Sequence, residues 1–166
     1  LHIINAAKNL NRVPKIVFAS TASIYGTSAS LPASEDQKED IITVYDLHKS
    51  FAEKHLQIAS NEGLIDGVSL RLANVYGPSS TLALSSDRGI LNKITNLALS
   101  GQPITVFGDG NYLRDYVYID DVALAFLEAG KVNNISSQIF NIGSGTGTLI
   151  KDAFSHIAKL VDAKID

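Results

Sequence analysis

Tyr45 and Lys49 stand four residues apart in the stretch V-Y-D-L-H-K-S-F-A-E-K, residues 44–54. On a helix that spacing stacks the two side chains on one face, one turn from each other. A phenol titrates near ~10 and is a poor base at neutral pH, but a neighbouring ammonium favours the phenolate. A tyrosine tuned this way can take a proton from a hydroxyl group while hydride leaves the same carbon. The pair also fits an amphipathic helix carrying an ordinary Tyr and Lys, so the elements around it have to decide.

The same helix shows two apolar flanks. At about 100° per residue, Asp46, Ser50, Glu53, Lys54, Gln57 and Ser60 share one polar arc. Tyr45, Lys49, Ala52, Leu56 and Ala59 line one side of that arc, and Leu47, Phe51 and Ile58 line the other. A helix covering one sheet face needs a single apolar stripe. Two stripes predict burial on two sides, one against a sheet and one against another helix, including one from a second subunit.

Placing that helix requires the elements on either side of it. Residues 1–10 have helical apolar spacing, and K-I-V-F-A-S (15–20) is a β-rich run of the kind that forms a buried parallel strand. That strand delivers Ser20, Thr21 and Ser23 to its carboxyl end, the edge where open α/β sheets place ligands. Residues 27–40 are expected to form a solvated polar connection to the Tyr45 helix. V-S-L-R-L (68–72), I-T-V-F (104–107), Y-V-Y-I (116–119) and Q-I-F-N-I (138–142) read as further strands. Helices are expected at 89–100, from an Asp120 or Asp121 cap to Ala129, and over 148–161. Strands alternating with helices define an α/β protein with a parallel sheet.

Composition narrows the function classes. The chain has 166 residues, 45% apolar and 19% charged, with net charge −3, which suits a globular protein and gives no electrostatic reason to bind nucleic acid or an anionic membrane. No cysteine is present, which excludes disulfides, thiolate nucleophiles and Cys-ligated metals. No apolar run approaches the ~20 residues that span a bilayer, and no signal peptide is visible, so the default expectation is cytoplasmic. The chain opens on Leu1 inside a helical pattern and contains no Met. Both features suggest a piece of a longer polypeptide.

Five stretches in order carry a resemblance: K-I-V-F-A-S-T-A-S-I-Y-G (15–26), Y-D-L-H-K (45–49), L-R-L-A-N-V-Y-G-P (70–78), L-R-D-Y-V-Y-I-D-D-V-A (113–123) and F-N-I-G-S-G (140–145). Together they resemble the extended short-chain dehydrogenase/reductases, in particular nucleotide-sugar epimerases and dehydratases of the UDP-galactose 4-epimerase type. The resemblance implies the back half of a Rossmann-like doubly wound sheet over 1–78. Residues 79–166 would mainly bind the nucleotide sugar, with 116–130 packing back on the Rossmann part. It implies NAD as cofactor with NADP left open, a nucleotide-diphosphate sugar as substrate, and a homodimer, with no metal, nucleic acid or membrane partner. Thr21 would hydrogen-bond the reacting sugar hydroxyl, Tyr45 would be the acid/base, and Lys49 would bind the nicotinamide ribose, with Ser20 beside the cofactor. Asn74 and Arg114 would hold the diphosphate, for which a planar fork of donors is suited, and Val106 and Phe107 would meet the nucleobase. Tyr25, Pro78 and Asp120 match motif positions whose expected roles are structural.

Thr21-Ala22-Ser23 separates branches of the family. Sugar 4,6-dehydratases resemble one another in an Asp-Glu pair after the Thr, decarboxylases and GDP-mannose dehydratases place Glu at the Ser23 position, and GDP-fucose synthases place Cys there. Ala22 and Ser23 do no acid/base work at neutral pH. What is left is a C-4 epimerase, a dehydrogenase or 4-ketoreductase, or a noncatalytic relative that keeps the fold. One departure is Y-D-L-H-K, where many epimerases have Tyr-Gly-x-Ser-Lys, and His48 is expected to pack against the helix's neighbours. G-S-G-T-G (143–147) follows a strand but has Thr148 at the third Gly of G-x-G-x-x-G. It fits the late N-I-G-S-G loop of the family, and the dinucleotide fingerprint is expected upstream of this chain.

Overall fold

The computed structural model describes residues 2–27, 29–78, 89–105 and 108–161. The elements run α1 (His2–Ala7), β1 (Lys15–Thr21), a 3-10 turn (Ala22–Tyr25), α2 (Val44–Asn61), β2 (Asp66–Leu72), β3 (Asn74–Tyr76) and α3 (Ile90–Leu99). There follow β4 (Leu113–Tyr118), α4 (Ile119–Lys131), β5 (Ile139–Ile142), β6 (Gly147–Leu149) and α5 (Ile150–Leu160). They gather into two compact units, Leu1–Ala73 with Asp121–Ile142, and Asn74–Asp120 with Gly143–Asp166.

The first unit is built on a parallel sheet of order β1-β2-β5. Lys15 to Thr21 pair in register with Asp66 to Leu72, and Ser69 to Leu72 with Ile139 to Ile142. Strand alternation divides β2 between two faces. Val68, Leu70 and Leu72 join Val17, Phe140 and Ile142 under Ala125, Phe126 and Ala129 of α4. On the opposite face Ile16 and Phe18 of β1 meet Ala7 of α1 and Leu56 and Ala59 of α2. Helices therefore cover both faces, the doubly wound α/β arrangement expected for a parallel sheet. Among the described strands β1 pairs with β2 alone.

The alternation also corrects the helical-wheel reading of α2. The β2 residues directed at α2 are Gly67, Ser69 and Arg71, so the polar arc of the helix is the side that packs. Asp46, Ser50 and Glu53 are buried with Leu56 and Ala59, and the Gly67 N–H donates to Ser60 Oγ at 3.1 Å. Leu47, Phe51 and Ile58, by contrast, are 52%, 61% and 55% exposed.

In the second unit β3 runs parallel to β4, and β4 pairs antiparallel with β6. Ile94 and Ala98 of α3 pack with Ile104 and with Phe154 of α5. Three expectations change here. Ile104 contributes an isolated bridge and Thr105 no strand, while Val106 and Phe107 lie outside the described residues. Residues 147–149 form β6, so the last helix starts at Ile150 instead of 148. α4 starts at Ile119, directly after β4, which places Asp120 and Asp121 in its first turn instead of at a cap; acidic side chains there still favour the helix dipole.

Candidate active site

The carboxyl end of β1 continues into the 3-10 turn, whose cap is Thr21: its Oγ1 accepts the Ser23 N–H at 3.2 Å. Gly26 closes the turn at φ +65°, where a side chain would collide with the Asp40 backbone. Helix α2 opens with a capping box. Thr43 Oγ1 accepts the Asp46 N–H at 3.1 Å, and Asp46 Oδ2 accepts the Thr43 N–H at 3.0 Å and its hydroxyl at 2.6 Å. The sequence signal is T-V-Y-D, residues 43–46, a Thr with an acid three residues on. This cap starts the helix at Val44 and so fixes Tyr45 in its first turn.

Asp46 also joins the two elements. Its Oδ1 accepts from Ser23 Oγ at 2.5 Å, and Ser23 Oγ lies 2.8 Å from Thr21 Oγ1. Burial pushes the Asp46 carboxyl up, but the bonds from Ser23 and Thr43 outweigh it and hold the group below the usual range. One turn along, Lys49 Nζ donates to the Ala19 carbonyl at 2.7 Å and sits 5.6 Å from the Tyr45 ring centre and 5.0 Å from that of Phe18. Tyr45 itself is 56% exposed. Thr21, Tyr45 and Lys49 are thus tied to one end of β1 by two contacts, Ser23–Asp46 and Lys49–Ala19. Ser20 is buried, and its hydroxyl has no hydrogen-bond partner among the described residues. His48, expected to pack, is exposed.

In the second unit Asn74 Nδ2 donates to the Asp115 carbonyl at 3.1 Å. Arg114 is exposed, donates to the Leu113 carbonyl at 2.8 Å, and makes no ion pair among the described residues. Neighbouring Asp115 is engaged by the glycine-rich loop. Its carboxylate accepts the Ser144 N–H and hydroxyl at 2.7 Å each and the Gly145 N–H at 2.9 Å. Two of the amides that G-S-G-T-G could have offered to a phosphate are therefore taken by a carboxylate of the protein itself, that of Thr146 goes to Ser144 Oγ, and β6 separates the loop from α5.

A cluster around Arg71 lies outside the sequence expectations. Its Nε and Nη2 donate to the two Glu53 carboxylate oxygens at 3.1 and 2.8 Å, with both side chains 2% exposed. Nη1 donates to Tyr25 Oη at 3.0 Å, and Nη2 reaches Glu39 at 3.4 Å. Tyr25 donates in turn to Asn141 Oδ1 at 2.7 Å, and the Asn141 N–H donates to Glu35 at 2.8 Å. Glu39 further accepts from Ser50 and Lys54, each at 2.6 Å. Residues 33–39 are thereby docked on β2, β5 and α2, which corrects the expectation of a solvated connection. The signal is in V-S-L-R-L: an Arg inside a strand covered on both faces needs a buried acid.

These features define a Rossmann-type α/β fold with a tyrosine–lysine helix at the carboxyl edge of its sheet. The chain belongs to the NAD dependent epimerase/dehydratase family, whose model matches residues 1–143. It is 34% identical over 158 residues to the UDP-glucose 4-epimerase of Mycolicibacterium smegmatis, covering 95% of this chain and 50% of that protein. The structure of the Thermotoga maritima UDP-glucose 4-epimerase with UDP-glucose superposes with a TM-score of 0.82 at 32% identity, over 92% of this chain and 50% of that one. The Thermus thermophilus UDP-glucose 4-epimerase with NAD gives a TM-score of 0.85 at 28% identity, over 99% and 54%. The chain spans about half the length of the curated relatives it matches.

Proposed function

We propose that the full-length protein is a nicotinamide-dependent nucleotide-sugar 4-epimerase, a reading carried by the Tyr45–Lys49 pair set beside Thr21 at the end of β1. The relatives act on or bind UDP-glucose, which favours a UDP-sugar as substrate. The residues present fit the nicotinamide end of a dinucleotide: Lys49 spends one ammonium hydrogen on Ala19 and keeps two, and Ser20 offers an orphaned buried hydroxyl. When bound, the nicotinamide supplies the acceptor and later the donor of hydride. Thr21 meets the sugar 4-hydroxyl. Tyr45 takes its proton as C-4 is oxidised to the ketone, and returns it as hydride comes back to the other face of C-4. Asn74 and Arg114 bind the diphosphate, Arg114 through guanidinium hydrogens that no protein carboxylate occupies among the described residues. Of residues 79–166, those of the second unit mainly serve the nucleotide sugar, while 121–142 belong to the sheet unit. Ala22 and Ser23 supply no carboxylate for water elimination. Incubating the full-length protein with NAD and UDP-glucose should yield UDP-galactose; a 4-keto-6-deoxy product, or no turnover of UDP-sugars, would overturn the reading.

The exposed strip on α2 supports a homodimer in which α1 and α2 of two copies pair across a two-fold axis. Leu47 and Phe51 would fill that contact, with Ile3 and Leu10 beside α2 adding exposed apolar surface. No helix among the described residues is long and apolar enough to cross a membrane. Phe51→Asp places a charge at the centre of the strip and is expected to give a monomer by light scattering at micromolar concentration. A dimer that tolerates this change would place the interface elsewhere.

A further inference from the structure

Tyr25 ends the 3-10 turn that Thr21 caps, and it is 4% exposed. Its phenol is bonded on both sides. Oη accepts from Arg71 Nη1 at 3.0 Å and gives its one hydrogen to Asn141 Oδ1 at 2.7 Å. The Asn141 amide is held the right way round for this, because its Nδ2 donates to the Ala33 carbonyl at 2.9 Å. The Arg71 guanidinium also lies against the Tyr25 ring, 4.9 Å from its centre. The other side of the same guanidinium, Nε and Nη2, forks onto Glu53 of α2. Arg71 thus bridges the turn at Thr21 and the helix that carries Tyr45 and Lys49. Ser23 and Asp46 join the same two elements at the first turn of the helix. Glu53 lies seven residues further on, two helical turns or roughly 10 Å along the axis. One attachment leaves a pivot, whereas two attachments that far apart fix how the turn lies on the helix.

We propose that Arg71 is a positioning residue that, through Tyr25, holds Thr21 within reach of the same sugar hydroxyl from which Tyr45 takes its proton. The inference rests on the function proposed above. Thr21 and Tyr45 meet one hydroxyl from two different elements, so their separation depends on the seating of the turn on α2. Arginine suits the bridge because its planar fork of donors reaches a carboxylate and a phenol at once, which the point charge of a lysine does not. Arg71 and Glu53 are both buried, so water does not compete for these bonds. Misplacing a reacting contact by about 1 Å costs up to ~10²-fold in rate. Binding of the substrate is a separate matter, since the diphosphate is assigned to Asn74 and Arg114 of the other unit. Cutting the bridge should therefore lower kcat and leave KM nearly unchanged.

Tyr25→Phe in the full-length protein keeps the ring and cuts the bridge. Its melting temperature should fall by a few degrees, since Arg71 Nη1 and Asn141 Oδ1 each lose a partner. Well below that temperature, kcat for UDP-glucose per folded molecule should fall roughly tenfold or more, with KM within about twofold of the parent. In a Thr21→Ala background, where no hydroxyl is left to position, Tyr25→Phe should cost no further kcat. Arg71→Lys keeps a cation for Glu53 without the fork and should repeat both results, so it carries the test if Tyr25→Phe does not fold. A bond that serves the fold alone would lower the melting temperature and leave kcat per folded molecule at the parent value. That outcome, a loss confined to KM, or a loss that multiplies independently with that of Thr21→Ala would overturn the proposal. Failure of both variants to fold would make the bridge structural and overturn it as well. Tyr45→Phe separates the two readings. If it is inactive while Tyr25→Phe has the parent kcat, the bridge fails and the epimerase stands; if Tyr45→Phe retains full turnover, the epimerase reading fails and the bridge with it.

Discussion

Tyr45→Phe is expected to lower turnover of UDP-glucose by the full-length protein about 10²–10⁴-fold, the usual contribution of a positioned acid/base, while the fold is retained. The ring sits in the first turn of α2 and is more than half exposed. Its hydroxyl has no hydrogen-bond partner among the described residues, so deleting the oxygen leaves no buried donor or acceptor unpaired. The contact between Lys49 and the ring face survives in Phe, as does the anchor from Lys49 to the Ala19 carbonyl. The substitution thus removes a proton-transfer group and little else. Steady-state turnover and thermal melting of the two proteins, measured side by side, test this. Parent-like activity would remove Tyr45 from the chemistry, and a collapse in melting temperature would mean that the hydroxyl is structural.

The sequence and the structure agree best where a pattern has one physical cause. K-I-V-F-A-S and V-S-L-R-L are β-rich runs between helical segments, and both became strands of a parallel sheet. Tyr45 and Lys49 face the same end of that sheet because helical geometry leaves four-residue spacing no other outcome. The wheel of α2 misled because polarity was equated with solvent. Asp46, Ser50 and Glu53 are polar and buried because Ser23 and Thr43 bond the first, Glu39 accepts from the second and Arg71 pairs with the third. Of those partners only Thr43 is local to α2; the others become visible once the fold is known. Residues 27–40 misled for a related reason. Glu35 and Glu39 look like solvated acids until Asn141 and Arg71, far along the chain, are brought to them. The G-S-G-T-G loop could be set aside from spacing alone, yet what satisfies its amides, Asp115, required the pairing of β4 with β6.

The largest effect on stability is expected from Glu53→Ala. Arg71 is buried on a central strand, and the burial that disfavours its charge is more than offset by Glu53 and Tyr25, which hold its pKa above the ordinary value. A guanidinium is not deprotonated in proteins, so Arg71 stays cationic with or without Glu53. Removing Glu53 strands a buried cation, with Tyr25 Oη and the 3.4 Å contacts to the Glu35 carbonyl and the Glu39 carboxylate as what remains among the described residues. Breaking one side of such a pair costs about 3–5 kcal/mol, a large share of the ~5–15 kcal/mol that holds a typical domain folded. Glu39 sets the direction of the pH dependence. Burial raises its pKa, but Lys54, Ser50 and Arg71 bring it below the ordinary value. The stability it adds is thus complete above the carboxylate range and lost as pH falls through its lowered folded value. Once Glu53 is gone, Glu39 is the one carboxylate left bonded to Arg71 among the described residues, so the variant should be more acid-sensitive than the parent. Replacing Glu53 and Arg71 together by Leu should cost less than the sum of the single changes, because no unpaired charge is left behind. Denaturant melts of the parent, Glu53→Leu, Arg71→Leu and the double form the cycle. A Glu53→Ala protein as stable as the parent, or strictly additive losses, would show that the fold does not depend on the buried Glu53–Arg71 pair.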